Sequence, residues 1–191
     1  MHILAVLAND KKKSLNRYML ETITSHLTSQ GHTVDVLDLY THCHEIPFYV
    51  QPKPENSITQ STLEDYPFFQ SHKQRVMAAD MLVIIAPIYW YSVPGILKTW
   101  LDLITNFAWK YKGQRYATPN HSIKKVVLVT TMAMPWIHKT IILGNAIKRH
   151  LREIFRFIAV PSIVIHEITS VYKKTPQQIQ KHLSSILNSL S

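Results

Sequence analysis

The chain contains 191 residues, of which 46% are hydrophobic and 17% are charged, a composition typical of one globular domain spanning residues 1–191. No apolar run approaches the roughly 18 residues that a membrane-spanning helix requires, and the first residues lack a signal-peptide pattern. We therefore expect a cytoplasmic protein without membrane insertion. The net charge of +9 comes from bases dispersed along the chain, which disfavours nucleic acid as the partner.

Cys43 is the only cysteine, so no disulfide within the chain is possible. Its neighbours His42, His44 and Glu45 are potential metal ligands, but the second ligand group that a structural zinc site needs does not accompany them. We predict a polar loop at this position and no metal site.

In chain order, short apolar runs alternate with longer amphipathic segments. The apolar runs predict strands at residues 3–7, 33–37, 81–86, 126–130 and 161–166. The amphipathic segments predict helices at residues 14–29, 70–79, 93–108, 141–157 and 176–190. Five strands alternating strictly with five helices predict an α/β domain with a parallel sheet and helices on both faces. The 81–86 strand is expected at the centre of this sheet and the 33–37 strand nearer its edge.

Residues 40–69 lose this periodicity. Prolines at 47, 52, 54 and 67 interrupt the segment, and tyrosines and phenylalanines are scattered through it. A loop of this length inside a compact domain is usually functional. We expect an excursion that packs its aromatic side chains near the site or against a partner subunit.

Ligands of such sheets bind beyond the carboxyl ends of the strands, where the strand order reverses. This rule directs attention to three loops, at residues 8–16, 87–92 and 130–136. The first loop carries three consecutive lysines and ends where a helix begins. Free amides at a helix N-terminus bind phosphate, and Ser14 and Asn16 can add donors. An equally good interpretation is that Ser14 only caps the helix and the lysines are solvated.

The second loop places three consecutive aromatic residues, Tyr89, Trp90 and Tyr91, after the predicted central strand. A flat heteroaromatic ligand would use their rings for stacking and the loop amides for hydrogen bonds. The alternative is an aromatic plug over the end of the sheet. The third loop follows Thr130 and Thr131 with Met and Trp residues, and ordinary loop capping explains it better when it is taken alone.

Several of these segments together resemble one family. The segments are APIYWYSVP at residues 86–94, LKTWLD at 97–102, FAWKY at 107–111, the Thr130-Thr131 pair, and Ser14-Leu15-Asn16. They resemble the NAD(P)H:quinone oxidoreductase family, which includes quinone reductases, azoreductase relatives and ancillary flavoproteins of potassium efflux systems. The resemblance spans roughly residues 3–166. It implies a flavodoxin-like fold, with a doubly wound five-stranded parallel sheet and helices on both faces.

The resemblance also implies a bound flavin, with FMN favoured over FAD because the chain is short. Matched to the family, the residues expected to bind the flavin are Asn9, Ser14, Leu15, Asn16, Pro87, Ile88, Tyr89, Trp90, Tyr91, Thr130, Thr131 and Met132. Trp136 is expected to shape the substrate slot, with His138 a candidate proton donor beside it. Lys98, Trp100 and Asp102 are expected to support their helix without contacting the cofactor.

Two departures from the family pattern concern the shape of the pocket. Met132 and Ala133 stand where the family usually has glycines, and Asn9-Asp10 stands where a Gly-Ser or a histidine is common. Side chains at these points would narrow the pocket or alter the path of the loops.

The activity implied by the resemblance is hydride transfer from NAD(P)H, through the flavin, to a quinone-like or azo acceptor. The family also implies a homodimer. One alternative is a one-electron carrier, which the positive charge disfavours because such carriers are typically acidic. Another is a non-enzymatic, flavin-binding regulatory subunit of a transporter or channel, and the residues do not separate it from the enzyme.

Overall fold

Five parallel strands form the main sheet of the protein, whose computed structural model describes residues 1–44, 67–110 and 118–190. The strands are β1 (His2–Leu7), β2 (Thr33–Asp38), β3 (Met81–Pro87), β6 (Lys125–Thr131) and β7 (Ser162–Ile168). Their order across the sheet is β2-β1-β3-β6-β7. This confirms the predicted fold class, the central position of β3 and the edge position of β2. A short antiparallel pair, β4 (Trp109–Lys110) and β5 (Thr118–Pro119), lies outside this sheet and was not predicted.

In the described residues, five α-helices cover the two faces of the sheet. They are α1 (Leu15–Ser29), α2 (Pro67–Ala78), α3 (Gly95–Phe107), α4 (Ala146–Phe157) and α5 (Pro176–Asn188). Helices α2, α3 and α4 share one buried apolar cluster with the sheet, and α1 and α5 share the other. The fully buried side chains of β1 and β3 divide between these two clusters, as alternation along a strand requires.

The structure corrects two helix boundaries. Residues 67–69 were predicted to close the long loop, but they form the first turn of α2, where Phe68 and Phe69 are buried in the core. Proline is tolerated in a first helical turn, so Pro67 does not exclude this assignment. The rest of the predicted excursion, residues 45–66, lies outside the described residues.

The predicted helix at residues 141–157 is two elements. A π-helical turn (His138–Ile142) precedes α4, and Gly144 and Asn145 between them have positive φ angles of 53° and 57°. Left-handed backbone at two consecutive residues breaks the helix and changes its direction. A 3₁₀ turn (Val171–Lys173) likewise separates β7 from α5. No helix in the described parts of the chain is both long and apolar enough to cross a bilayer.

Candidate functional site

The three loops singled out in the sequence meet at one edge of the sheet. Strands β1, β3 and β6 are neighbours, with Leu7 opposite Ile85 and Ala86 opposite Thr130. Because the strands are parallel, their carboxyl ends lie side by side. The chain leaves β1 for β2 on one side and returns to β3 on the other, which is the reversal of strand order where such sheets bind ligands.

The first loop ends in unused hydrogen-bond donors. Ser14 caps α1, because its Oγ accepts the Arg17 amide at 3.2 Å, and the hydroxyl proton is left to donate elsewhere. The amides of Leu15 and Asn16 donate to no other described residue. Asn9 folds the loop through its Oδ1, which accepts the Lys11 amide at 2.8 Å. Capping and anion binding are therefore compatible at this helix N-terminus.

Hydrogen bonds connect the first loop to the other two. The buried Thr131 Oγ1 donates to Asn16 Oδ1 at 3.1 Å, and the Tyr89 hydroxyl donates to Asp10 Oδ1 at 3.3 Å. Burial of Tyr89, reinforced by the negative charge of Asp10, raises the pKa of this phenol above its ordinary value. Tyr89 therefore stays protonated at neutral pH and keeps its donor.

The aromatic loop is a tight turn in an unfavourable backbone conformation. Tyr89 and Ser92 exchange two backbone hydrogen bonds of 2.8 and 3.0 Å. Between them, Trp90 and Tyr91 have φ angles of 47° and 66°. Left-handed backbone costs an L-residue with a bulky side chain about 1–2 kcal/mol, and glycine would avoid that cost. Such conformations concentrate at ligand-binding sites, where contacts with a ligand offset the strain.

In this turn the Trp90 ring is exposed and the Tyr91 ring is packed against another side chain. Trp90 is 94% exposed, so the ring has almost no protein contacts. Tyr91 stacks on His138 of the π-helical turn, with 6.3 Å between ring centroids and 22° between planes. A solvent-exposed tryptophan on a strained turn is poorly explained by folding, and a planar ligand would give it a partner.

A cavity of about 390 Å³ lies beside this turn, and we call it the loop cavity. Its walls come from the second and third loops and from the π-helical turn: Ile88, Trp90, Tyr91, Met132, Ala133, Met134, Pro135 and His138. The volume is within the range of small-molecule sites. Met132 belongs to this wall although it is only 2% exposed.

The third loop is fixed by backbone hydrogen bonds. The Met132 amide donates to the Ile168 carbonyl at 2.9 Å, and the Met132 carbonyl accepts the Val171 amide at 3.1 Å. Thr130 Oγ1 is 3.4 Å from the His166 carbonyl, a long bond. Both threonine hydroxyls therefore point into protein, so the predicted ligand contacts of this loop fall to its backbone.

The structure brings together most, but not all, of the predicted site residues. Pro87 is the buried last residue of β3. Trp136 lies away from the loop cavity, on a larger cleft beside α4 and β7. Trp100 is fully buried, and Lys98 pairs with Asp102 at 2.5 Å, so both support α3 as expected. Among the described residues, no cluster of three or more histidine, cysteine or acidic side chains could hold a metal ion.

Sequence reasoning missed two features of this edge. The left-handed turn was not foreseen, because tryptophan and tyrosine rarely adopt that conformation. The stacking of Tyr91 on His138 depends on the π-helical turn, which follows from the break at residues 144–145. Ile137 and the turn residues Ile141 and Ile142 are exposed in the structure, which apolar spacing alone does not predict.

Comparison with known proteins gives one family and several relatives. A family model described as a flavodoxin-like fold matches residues 1–190. The human ribosyldihydronicotinamide dehydrogenase [quinone] is 30% identical over 132 residues, which cover 58% of this chain and 54% of that protein. The chain thus spans about half the length of the curated relatives it matches first.

Solved structures align along nearly the whole chain. The NAD(P)H:quinone oxidoreductase from Methanothermobacter marburgensis has a TM-score of 0.75 at 22% identity, covering 99% of this chain and 94% of that one. The FMN-dependent NADH-azoreductase from Bacillus anthracis str. Ames Ancestor, solved in complex with FMN, has a TM-score of 0.74 at 12% identity, covering 99% and 97%. At these identities, the likeness shows the shared fold.

Proposed function

The chain belongs to the flavodoxin-like fold family, and we propose that it is a flavin-dependent NAD(P)H oxidoreductase with a quinone-like or azo acceptor. The observation that carries this proposal is the strained turn of Trp90 and Tyr91 beside the loop cavity. The hydrogen bond from Tyr89 to Asp10 links that turn to the loop that ends in the unused amides of α1. A phosphate group and a flat ring on one ligand match these two features.

The phosphate of the flavin would bind at the N-terminus of α1. The amides of Leu15 and Asn16 and the Ser14 hydroxyl are the donors, and the nearby lysines at positions 11–13 raise the local positive potential. We propose FMN as the bound form. The support is the FMN complex of the Bacillus anthracis azoreductase, which shares the fold.

The ring would lie against the turn formed by Ile88, Tyr89, Trp90 and Tyr91, with the loop after Thr131 opposite it. A bound flavin supplies two-electron hydride chemistry between a nicotinamide and an acceptor. The residues of this chain orient the ring and exclude water from one of its faces. Their backbone amides place dipoles where negative charge develops.

His138 is the histidine in the lining of the loop cavity. Its ring lines the loop cavity and stacks on Tyr91, which fixes its orientation. We propose that the imidazole donates a proton to the acceptor as it is reduced, acting as a general acid. Trp136, on the larger cleft next along the chain, would contact the part of the cosubstrate that extends beyond the ring.

The cellular setting belongs to the same proposal. We infer a cytoplasmic homodimer that accepts electrons from NADH or NADPH. The exposed rings and isoleucines around the turn give a second subunit apolar surface to cover, which supports dimerisation.

The experiment is reconstitution followed by turnover. The purified protein is incubated with FMN or FAD, desalted, and analysed for retained flavin by its visible absorbance. NADH and NADPH oxidation is then followed with and without a soluble quinone. Retained flavin with quinone-dependent oxidation is the expected result. Retention without turnover would favour a regulatory subunit, and no retention would refute flavin binding.

A further inference from the structure

A second cavity, of about 660 Å³, lies between α4 and the outer strand β7, and we call it the basic cleft. Its charged and titratable lining residues are Lys139, Lys148, Arg149, Arg152, His166, Glu167 and His182. Four permanent cations thus face one carboxylate. Trp136, 58% exposed, is the aromatic residue in the lining.

The single carboxylate is already neutralised by one of the cations. Lys139 Nζ donates to Glu167 Oε2 at 2.6 Å and to Asn145 Oδ1 at 2.7 Å, and both charged side chains are more than nine-tenths buried. This pair forms a rigid wall of the cleft. Lys148, Arg149 and Arg152 have no carboxylate partner among the described residues.

The positions of these three cations are unfavourable for α4 itself. The first turn of the helix has no acidic residue, although the positive end of the helix dipole lies there. Lys148 and Arg152 are four residues apart on one face, where like charges repel. The helix cannot rotate to move them out into solvent, because Ile147, Leu151 and Phe155 are buried in the core on the opposite face. A bound anion would remove each of these penalties.

Among the described residues that line the cleft, none besides Glu167 adds negative charge. Burial and the charge of Lys148 lower the pKa of His166, and burial with Lys174 and Lys181 lowers the pKa of His182. Both imidazoles are therefore neutral near pH 7, and His166 Nε2 is hydrogen-bonded to Ser189 Oγ at 2.8 Å.

We propose that the basic cleft binds the phosphomonoester group of a nucleotide. A phosphomonoester carries almost two negative charges at pH 7, and arginines bind its oxygens in a bidentate manner. The volume suits a nucleotide, and Trp136 at the rim offers a face on which a base can stack. The segment 132–145 contributes some of its residues to the loop cavity and others to the basic cleft. If the proposed function holds, the 2′-phosphate of NADPH is the first source of this group.

Isothermal titration calorimetry on the full chain tests the proposal with adenosine 2′,5′-bisphosphate as the probe and adenosine as the reference. The variants are the triple substitution K148Q/R149Q/R152Q and the control R156Q, which removes a cation from the exposed end of the same helix. We expect the bisphosphate to bind the wild type and R156Q equally. The triple variant should bind it at least about tenfold more weakly, the loss expected for charge-assisted hydrogen bonds. Circular dichroism checks that the variant is folded.

Steady-state kinetics separates the two sources of the phosphate. A rise in the KM for NADPH in the triple variant, with the KM for NADH and both kcat values unchanged, identifies the 2′-phosphate. If the triple variant loses bisphosphate binding while its KM values for NADPH and NADH stay unchanged, the cleft binds a nucleotide other than the cosubstrate.

Three results would overturn the proposal: equal affinity of wild type and triple variant, no advantage of the bisphosphate over adenosine, or binding only to vesicles containing phosphatidylserine. The titration needs neither flavin nor turnover. If the protein is not a flavin-dependent oxidoreductase, nucleotide binding by the basic cleft can still be confirmed. If the cleft binds no nucleotide, the proposed oxidoreductase function is not affected.

Discussion

At the residue scale, the conformation of two aromatic residues is the feature that most needs a ligand. Trp90 and Tyr91 are held in left-handed backbone, and Trp90 recovers none of that cost through burial. The sequence predicted that this loop binds a flat ligand from its residue types. The strain could not be predicted, because it depends on the two hydrogen bonds between Tyr89 and Ser92.

Replacing Trp90 with asparagine should separate folding from binding. Asparagine tolerates left-handed backbone, and an exposed ring has few contacts to lose, so the apoprotein should be as stable or up to about 1 kcal/mol more stable in urea unfolding. FMN affinity, measured by fluorescence titration, should fall about tenfold because a stacking surface is lost. The control is Phe157→Asn, an exposed ring that lines neither the loop cavity nor the basic cleft. Equal FMN affinity in W90N and the wild type would contradict the placement of the ring.

Replacing Thr131 with valine should loosen the junction between the first and third loops. The substitution removes the buried hydrogen bond to Asn16 and leaves the amide oxygen of that residue unpaired, at an expected cost of about 1–3 kcal/mol. Thr130→Val is the matched control, since its hydroxyl makes only a 3.4 Å contact. Urea unfolding of both variants measures their free energies of unfolding. Equal losses of stability would show that the Thr131 hydrogen bond stabilises the protein no more than the Thr130 contact does.

At the element scale, the boundaries of the strands were predicted to within one or two residues. The structure of the segment before α4 was not predicted. Continuous apolar runs identify buried strands directly, as β3 illustrates. The region around Ile141 has apolar residues at helical spacing, so the periodicity predicted that α4 begins earlier than it does. The break depends on left-handed backbone at Gly144 and Asn145 and on the Lys139 hydrogen bond to Asn145, which no local pattern encodes.

The buried ion pair that stabilises this break should be sensitive to the loss of one partner. Lys139→Met leaves the Glu167 carboxylate buried without a counter-charge and should destabilise the protein by about 3–5 kcal/mol. The more exposed pair of Lys98 and Asp102 gives the control, because Lys98→Met should lower the free energy of unfolding by under about 1 kcal/mol. A second substitution, Glu167→Gln, should restore part of the stability of the Lys139 variant. Additive losses in urea unfolding would show that the two residues do not act as a pair.

The ion pair between β2 and α2 predicts a pH dependence. Hydrogen bonds from Arg75 to Asp35, at 2.6 and 2.7 Å, lower the pKa of this carboxyl below its ordinary value; burial opposes the shift, and the charges of Arg75 and His2 add to it. Because the pKa of Asp35 is lower in the folded protein than in the unfolded chain, the ion pair stabilises the fold above about pH 4. This stabilisation is lost as the pH falls through the folded-state pKa.

The Asp35→Asn variant should therefore be about 1 kcal/mol less stable than the wild type at pH 7, and this difference should shrink below about pH 4. Urea unfolding across that range is the measurement. Glu153→Gln, at an exposed pair with Arg156, should show little difference at any pH. A difference that grows toward low pH would contradict the assigned direction.

At the scale of the whole molecule, the sheet order explains why three loops distant in sequence form one site. The alternation of strands and helices predicted the parallel sheet, and the rule of strand reversal predicted the edge that carries the site. The basic cleft escaped prediction because its cations come from α4 and the π-helical turn, while the carboxylate and the imidazoles that complete it come from β7 and α5. In the sequence those bases were only part of a dispersed charge of +9.

The central claim is that this edge holds a flavin that NAD(P)H reduces. Its most direct test is to mix the FMN-loaded protein with NADPH in the absence of oxygen and to record the visible absorbance of the bound flavin. The account predicts that the absorbance of oxidised flavin is lost and that adding a quinone restores it. Protein that binds no flavin, or whose bound flavin keeps its oxidised absorbance with both NADPH and NADH, would contradict the claim.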